Sequence, residues 1–145
     1  MRISIVTQAS DYLIDAFKNL IPQLNPEATI PSKSYIEEIV ASDCMKIFIA
    51  EEGGIVGTLT LATQKIPTGK KAWIEDVVVD SRVRGKGIAR KLILHAINYA
   101  SESGISKIDL TSSPFRKAAN KLYEKLEFQK RETNIYRMNL KDSRQ

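Results

Sequence analysis

The chain has 145 residues, and its hydrophobic fraction of 43% and charged fraction of 27% are ordinary for one globular domain with a buried core. The formal net charge of +5 indicates an anionic partner, and the single cysteine, Cys44, excludes an internal disulfide and fits a reducing compartment. We expect a cytoplasmic protein, because the first residues lack the long apolar segment of a signal peptide and no apolar run approaches the roughly 18 residues of a membrane span.

The first predicted element is a strand over residues 2–7, where apolar and polar residues alternate. A helix is expected to follow, with Ser10 or Asp11 as its N-cap and with apolar residues at helical spacing. Pro22 has no backbone N–H to donate, so the sequence predicts that this helix ends near residue 21.

A second helix is predicted to begin at a serine cap within residues 32–34. A strand over residues 45–51 follows it, and the two glycines at positions 53–54 are typical of a tight hairpin turn. The chain is then expected to return as a strand over residues 55–62, followed by a basic turn over residues 65–71.

Residues 73–79 (WIEDVVV) have the β-branched composition of a buried strand, and this strand is predicted to lie at the centre of the sheet. A short basic turn with two glycines, residues 82–87, comes next. Apolar residues then recur at helical spacing from Ala89 to Ala100. This order of strand, turn and helix directs the N-terminus of the helix toward the turn.

The last part of the chain is predicted to add a strand, a helix and a final strand or strands. Gly104 ends the long helix, and a strand over residues 105–111 follows, which the β-α-β order places parallel to the central strand. Pro114 is expected to open an amphipathic helix, and Phe128 together with residues 134–140 is expected to form the final strand or strands.

The turn between the central strand and the long helix has the composition of a phosphate site. The first amides of a helix have no partner inside it, and the helix dipole adds roughly half a positive charge there. Gly85 and Gly87 permit close approach of a ligand to the backbone, and Arg82, Arg84 and Lys86 add positive charge. We interpret this turn as a pyrophosphate-binding loop, and a basic turn that binds no ligand is the alternative.

The turn lacks the two familiar nucleotide-binding patterns, GxxxxGK[ST] and GxGxxG. Residues 82–87 (RVRGKG) match [Q/R]-x-x-G-x-[G/A], and with their flanking strand and helix they resemble motif A of the GNAT superfamily of N-acetyltransferases. The resemblance implies acetyl-CoA as co-substrate. It implies cofactor contacts from Val77, Val78, Val79, Arg82, Arg84, Gly85, Lys86, Gly87, Ile88 and Ala89.

A second segment, residues 118–128 (AANKLYEKLEF), resembles motif B of the same superfamily. It departs from that motif at Glu127, where glycine is typical and the backbone often needs a positive φ. By resemblance, Asn120 would hydrogen-bond the CoA arm, although a solvated polar residue on a helix is an equal alternative. The two motifs together cover roughly residues 73–128.

Tyr123 is our candidate for a catalytic residue, because the resemblance implies a general acid at this position near the CoA sulfur. A phenol with a pKa of about 10 remains protonated at neutral pH and can protonate a leaving thiolate. The alternative is a core tyrosine, since Tyr123 also fits the apolar stripe of its helix.

A base is needed when the acceptor is a lysine-like amine, because only about one such amine in two thousand is neutral at pH 7. The candidates are Glu75, which we favour, and Asp76. In an unbroken strand Glu75 shares a face with Val77 and Val79, and a bulge would change this. The backbone N–H of Val78 is the oxyanion donor that the resemblance implies.

The resemblance implies one α/β domain over residues 1–145, of the α+β GNAT type. Its sheet would be mixed and largely antiparallel, with six or seven strands and about four flanking helices. The implied function is N-acetyltransfer from acetyl-CoA to a primary amine by direct attack in a ternary complex. The alternative is a CoA sensor or interaction module that has the same fold and no catalytic activity.

We expect the acceptor to be a small-molecule or peptide amine, and the sequence leaves a homodimer open. The basic residues are scattered and are not interleaved with aromatic residues, so we expect no nucleic-acid partner, and we expect no membrane partner. No metal is expected, because one histidine, His95, and one cysteine offer no convincing zinc site.

Overall fold

A computed structural model describes residues 1–141. The strands are β1 (Arg2–Ile5), β2 (Met45–Glu51), β3 (Ile55–Ile66), β4 (Gly69–Val79) and β5 (Lys107–Asp109), and the helices are α1 (Asp11–Leu24), α2 (Lys33–Ala41), α3 (Ile88–Glu102) and α4 (Lys117–Lys125). A single 3-10 turn, Ser81–Val83, lies between β4 and α3. The chain divides into two compact units, residues 1–111 and a second unit that begins at Ser112.

One mixed sheet in the first unit joins the strands in the order β1-β2-β3-β4-β5. The first four strands are antiparallel neighbours, and β5 runs parallel to β4 after the α3 crossover, which confirms the predicted β-α-β unit. The ladder between β4 and β5 runs only from Lys71 opposite Lys107 to Trp73 opposite Asp109. Strand β5 therefore covers only the first part of β4.

The prediction of six or seven strands is wrong, because the sheet has five and no strand follows β5 within residues 112–141. Residues 134–140 have the alternation of a strand, but they form no ladder there, and neither does Phe128. Tyr136, Met138 and Leu140 are 87%, 83% and 82% exposed. A strand needs a neighbour for its backbone groups, so an alternating pattern alone does not produce one.

Helix α1 continues to Leu24 and contains Pro22, so the prediction that it ends near residue 21 is wrong. Proline removes one hydrogen bond from the helix, but its fixed φ suits helical backbone. The last turn of α1 has a contact outside the helix, because Gln23 accepts a hydrogen bond from the Ser81 amide at 2.8 Å. Tertiary contacts of this kind override the local signal of the proline.

Three other helix ends lie where the sequence places a cap. Ser10 caps α1 by accepting from the Leu13 amide at 3.2 Å, and Ser32 caps α2 by accepting from the Tyr35 amide at 3.1 Å. Gly104, directly after the C-cap of α3, has a φ of 75° and ends that helix as predicted. Within residues 1–141, no helix is long and apolar enough to cross a membrane.

The helices of the first unit cover opposite faces of the sheet. On one face, α1 and α2 pack on β2, β3 and β4 through a buried cluster of Leu13, Phe17, Leu20, Ile36, Ile47, Ile49, Ile55 and Val78. On the other face, the Phe48 ring of β2 lies 5.9 Å from the Tyr99 ring of α3. A Cβ on Gly57 would lie 3.2 Å from the Leu92 side chain, so glycine allows α3 to pack closely on β3.

Strands β3 and β4 form a longer hairpin than predicted. Their ladder extends to Ile66 opposite Gly69, which leaves only Pro67 and Thr68 in the turn. The predicted basic turn over residues 65–71 is therefore mostly strand. Strand β5, by contrast, is shorter than the predicted strand over residues 105–111, because it contains only Lys107–Asp109.

In the second unit, α4 begins at Lys117 and not at Pro114. The Phe115 side chain precedes the helix and is 91% exposed, so it does not belong to the apolar stripe. Glu127 has a φ of 71°, which confirms the left-handed backbone that the motif predicts at this position. The rings of Tyr123 and Phe128 pack edge to face with centroids 6.0 Å apart.

Candidate active site

The loop between β4 and α3 presents backbone amides to the outside of the first unit. Gly85 and Gly87 have φ values of 83° and 77°, which favour glycine. Gly87 is the N-cap of α3 and has no side chain that could occupy the first amides of the helix. A Cβ at either glycine would meet no atom within 4 Å, so the space beside this backbone is open. An anion could therefore approach the N-terminus of α3.

The positive charges of the loop differ in how far they are already compensated. The Arg82 guanidinium contacts the Asp80 carboxylate, with an Nη2–Oδ2 distance of 2.6 Å. Arg84 donates from Nε to the Val79 carbonyl at 3.0 Å. Its Nη1 and Nη2 donors can still contact a ligand. Lys86 is exposed and forms no salt bridge within residues 1–141. Lys86 is therefore better placed than Arg82 to contribute an uncompensated charge.

Asp80 is the buried anchor of this loop, with only 3% of its surface exposed. Hydrogen bonds from the Arg82 side chain and the Arg82 amide hold the pKa of the Asp80 carboxyl well below its usual range, and Asn19 adds a further donor. Sequence reasoning did not identify Asp80 or Asn19. In the sequence, the ion pair between Asp80 and Arg82 is indicated only by their separation of two residues.

Strand β4 contains a bulge beside the two candidate bases. Thr60 of β3 lies opposite Glu75 and Thr58 lies opposite Val78, so one residue of β3 faces two residues of β4. Asp76 has a φ of 51°, the left-handed backbone of such a bulge. The register places Glu75 on the same face as Val78, because Thr60 and Thr58 share a face.

The expectation that Glu75 shares a face with Val77 and Val79 is therefore wrong, because the bulge shifts the alternation. Glu75 is exposed on the face of the sheet that carries α1 and α2, since Val78 belongs to the buried cluster of that face. Asp76 is also exposed, and its left-handed backbone redirects its side chain.

The edge of β4 opens after Trp73. Within residues 1–141, no strand pairs with this edge between residues 74 and 79, although β3 continues along the other edge. Backbone donors and acceptors of that edge are therefore available to a ligand. Val78 and Val79 are only 3% and 9% exposed, so any contact from them would come from the backbone.

Two further predicted cofactor residues form the start of α3. Ile88 is 3% exposed and would contact a Cβ placed on Gly57 at 3.4 Å, so its side chain belongs to the core. Ala89 is partly buried. Both residues can offer only their amides to an anion, because these amides lie in the first turn of the helix.

In the second unit, Tyr123 is partly buried and Asn120 hydrogen-bonds to the backbone just before its own helix. Burial raises the pKa of the Tyr123 phenol above its ordinary value, and Arg116 partly opposes this shift. Asn120 donates from Nδ2 to the Ser113 carbonyl at 3.1 Å. The Oδ1 atom of Asn120 can still accept a hydrogen bond.

Within residues 1–141, no group of three or more histidine, cysteine, aspartate or glutamate side chains is arranged to hold a metal ion. His95 is exposed on α3, and Cys44 is partly buried and forms no disulfide.

The family model of the acetyltransferase (GNAT) family matches residues 10–128. The chain therefore belongs to the GNAT family of acetyltransferases. Its described residues, 1–141, form a mixed sheet of five strands and four α-helices.

The chain is similar to N-acetyltransferase 8 of Rattus norvegicus, with 30% identity over 126 residues, which cover 77% of this chain and 57% of that protein. The chain spans about half the length of the curated mammalian relatives that it matches. Activity of those whole proteins therefore carries over only as a proposal.

Solved structures share the fold. An acetyltransferase of Trypanosoma brucei has a TM-score of 0.77 at 26% identity, covering 96% of this chain and 99% of that chain. An aminoglycoside acetyltransferase from an uncultured soil metagenomic sample, in complex with sisomicin, has a TM-score of 0.83 at 19% identity, covering 97% of this chain and 96% of that chain.

Proposed function

We propose that this chain is an acetyl-CoA-dependent N-acetyltransferase that passes the acetyl group directly to a primary amine. The observation that supports this most is the open loop of Gly85 and Gly87 at the start of α3, beside an edge of β4 that no strand within residues 1–141 pairs beyond Trp73. Together these two features offer one site for a diphosphate and an adjacent site for an extended arm.

The residues of the first unit fit acetyl-CoA in two ways. The loop amides, the first amides of α3 and the ammonium group of Lys86 suit a diphosphate, because they are donors beside open space. The open edge of β4 over residues 74–79 suits the amide groups of the pantetheine arm, which can pair with it as an added strand does. By resemblance to the family, the Val78 amide is the candidate oxyanion donor.

The proposed reaction forms one bond and breaks one. The lone pair of the acceptor nitrogen forms a C–N bond to the acetyl carbon, the thioester C–S bond breaks, and its electron pair leaves on sulfur. The sulfur then takes up a proton, and Tyr123 is our candidate donor. Burial raises the pKa of its phenol, so Tyr123 carries its proton throughout the neutral range.

The acceptor nitrogen also loses a proton, and Glu75 is our candidate base. Its carboxylate is exposed on the face that carries α1 and α2, directly before the bulge in β4. Asp76 is the second candidate. A base matters most for a lysine-like amine, whose deprotonation at pH 7 otherwise costs about 4.6 kcal/mol.

We propose a small-molecule or peptide amine as the acceptor. The names of the N-acetyltransferase relatives support an amine, and one structure that shares the fold is that of an aminoglycoside acetyltransferase in complex with sisomicin.

The test is isothermal titration with acetyl-CoA and with free CoA, followed by measurement of thiol release with a panel of amines. We expect micromolar binding and thiol release with one class of amine. Binding without thiol release from any amine would favour the sensor. Absence of binding would refute the proposal, because the glycine loop would then be purely structural.

Tyr123→Phe separates the enzyme from the sensor. We expect the thiol-release rate with the best amine to fall by about 100-fold, the usual contribution of a general acid, and the Kd for acetyl-CoA to stay unchanged. Tyr136→Phe, at an exposed tyrosine of the same unit, is the matched control and should change neither quantity. An unchanged rate in Tyr123→Phe would contradict the assigned role.

A further inference from the structure

Two amide side chains of α1 contact the segment that leads into the glycine loop, and the proposed reaction does not use them. Asn19 Nδ2 donates to Asp80 Oδ2 at 2.9 Å, and Gln23 Oε1 accepts from the Ser81 amide at 2.8 Å. Gln23 Nε2 lies 3.4 Å from Asn19 Oδ1, so the two side chains also contact each other. These contacts form one continuous chain from α1 to the loop.

The chemistry of the partners fixes how both amide groups are turned. A backbone N–H can only donate, so the Ser81 amide must face the oxygen of Gln23. The nitrogen of Gln23 then faces Asn19 and donates to its backbone carbonyl at 3.2 Å and to its side-chain Oδ1 at 3.4 Å. The nitrogen of Asn19 is left to face the Asp80 carboxylate, which can only accept. In these orientations each contact pairs a donor with an acceptor, whereas turning the Gln23 amide would oppose two donors and turning the Asn19 amide would oppose two acceptors.

The contacts matter because Asp80 is a buried anion next to a loop that would hold a second anion. A buried carboxylate is costly unless protein donors surround it. Asp80 accepts from the Arg82 amide, from the Arg82 guanidinium and from Asn19. Removal of the Asn19 donor would leave Asp80 Oδ2 with the Arg82 guanidinium as its side-chain donor and would release the carboxylate from α1, so that it competes more strongly for the loop donors that a diphosphate needs.

We propose that Asn19 and Gln23 are positioning residues for the diphosphate of CoA. They hold the Asp80–Ser81 segment from α1, so that the amides of the glycine loop are ordered before CoA arrives. A loop that is ordered in advance loses less conformational entropy on binding. This inference rests on the proposed function, because it concerns the affinity of the same loop for CoA.

The experiment compares Asn19→Leu with Asn98→Leu, which makes the same substitution at an exposed position of α3. Isothermal titration gives the Kd for CoA, and ligand-observed NMR gives the Kd for S-acetylpantetheine, which lacks the diphosphate. We expect Asn19→Leu to weaken CoA binding about tenfold, as the loss of one hydrogen bond to a charged group does. The Kd for S-acetylpantetheine and both constants of Asn98→Leu should be unchanged.

Amide hydrogen exchange of the free protein provides a second readout. Asn19→Leu and Gln23→Leu should each speed exchange at Ser81 and Arg82, while exchange in the core strand β2 stays at the rate of the wild type. Two variants are used so that a folding defect in one does not decide the result.

The outcomes separate this inference from the proposed function. Wild-type protein that binds CoA, with Asn19→Leu binding it equally well, would overturn the inference alone. An equal loss of affinity for CoA and S-acetylpantetheine would also overturn it, because the effect would then not depend on the diphosphate. Wild-type protein that binds no CoA would refute the proposed function and this inference together.

Discussion

The two ends of β4 have different surroundings. At its start, β4 lies between β3 and β5, with Lys71 and Trp73 paired across the parallel ladder. From Ile74 onward, β3 is its one partner among the residues that the structure describes. The paired end is regular strand, whereas the open end contains the bulge at Asp76 and leads into the glycine loop. The candidate base, the candidate oxyanion donor and the candidate anion-binding amides all belong to the open end.

This difference shows how one strand can serve both stability and binding. Backbone that is paired on both sides has no donors left for a ligand, so the ladder at Trp73 supports the sheet. The open end keeps its donors, and it also keeps unusual backbone, with positive φ values at Asp76, Gly85 and Gly87. Such conformations persist only where the surrounding structure holds them. Here β3, α1 and the buried Asp80 do so.

Gly87→Ala should have the largest effect on the open end. A Cβ at this φ of 77° is strained and would occupy the open space beside the first amides of α3. We expect CoA affinity to fall about 100-fold, because two hydrogen bonds to a charged group are lost or lengthened. Isothermal titration measures this loss.

The matched control for that substitution is Gly53→Ala in the turn between β2 and β3. Gly53 has a φ of 69° and equally open space around it, so the backbone strain of the two variants is similar. Both variants should lose about 1 kcal/mol of unfolding free energy. Equal CoA affinity in Gly53→Ala and Gly87→Ala would mean that the loop does not bind the diphosphate.

Glu75→Gln tests whether the bulge presents a base. With a lysine-like amine, we expect kcat/KM to fall about 100-fold, and with an amine of pKa near 7.7 the fall should be much smaller, because little proton removal is then needed. Thiol-release kinetics with both amines give the comparison. Asp76→Asn is the companion variant, and a larger loss there than in Glu75→Gln would transfer the role to Asp76.

The sequence predicts the glycine loop well because its determinants are local. The β-branched run before it, the glycines at 85 and 87 and the apolar spacing after it all act within one short segment. The caps at Ser10 and Ser32 are predictable for the same reason.

Features that depend on distant partners were not predictable. Asn19 and Asp80 are 61 residues apart, and no local pattern reports their contact. The bulge depends on how β3 pairs with β4, so residue alternation gave the wrong face for Glu75. Residues 134–140 show the opposite error, since their pattern is that of a strand but no ladder partner accompanies it within the described residues.

Asp80→Asn should destabilise the open end in a pH-dependent way. The folded-state pKa of Asp80 lies below the ordinary value of about 3.9, so its carboxylate stabilises the fold above about pH 4 and this contribution is lost as pH falls through the folded-state pKa. We expect a loss of about 2 kcal/mol at pH 7, because hydrogen bonds to a charged group are weakened.

Urea denaturation of Asp80→Asn and wild type at several pH values measures that loss. The difference in unfolding free energy should be constant from pH 7 to pH 5 and should shrink below about pH 4. Asp15→Asn, at an exposed carboxylate of α1, controls for loss of charge and should change little. A difference that grows on acidification would contradict the assigned sign.

Lys70→Met should have the smallest effect and should be confined to the paired end of β4. Lys70 Nζ donates to the Ser103 carbonyl at 2.7 Å, at the C-terminal end of α3 where the helix dipole favours a positive charge. Its removal should cost about 1 kcal/mol of unfolding free energy. CoA affinity should stay at the wild-type value, because the opposite end of the same helix forms the loop. If Lys70→Met weakened CoA binding as Asn19→Leu is expected to, the two ends of β4 would not be independent, and the N-terminus of α3 would depend on how its C-terminus is held.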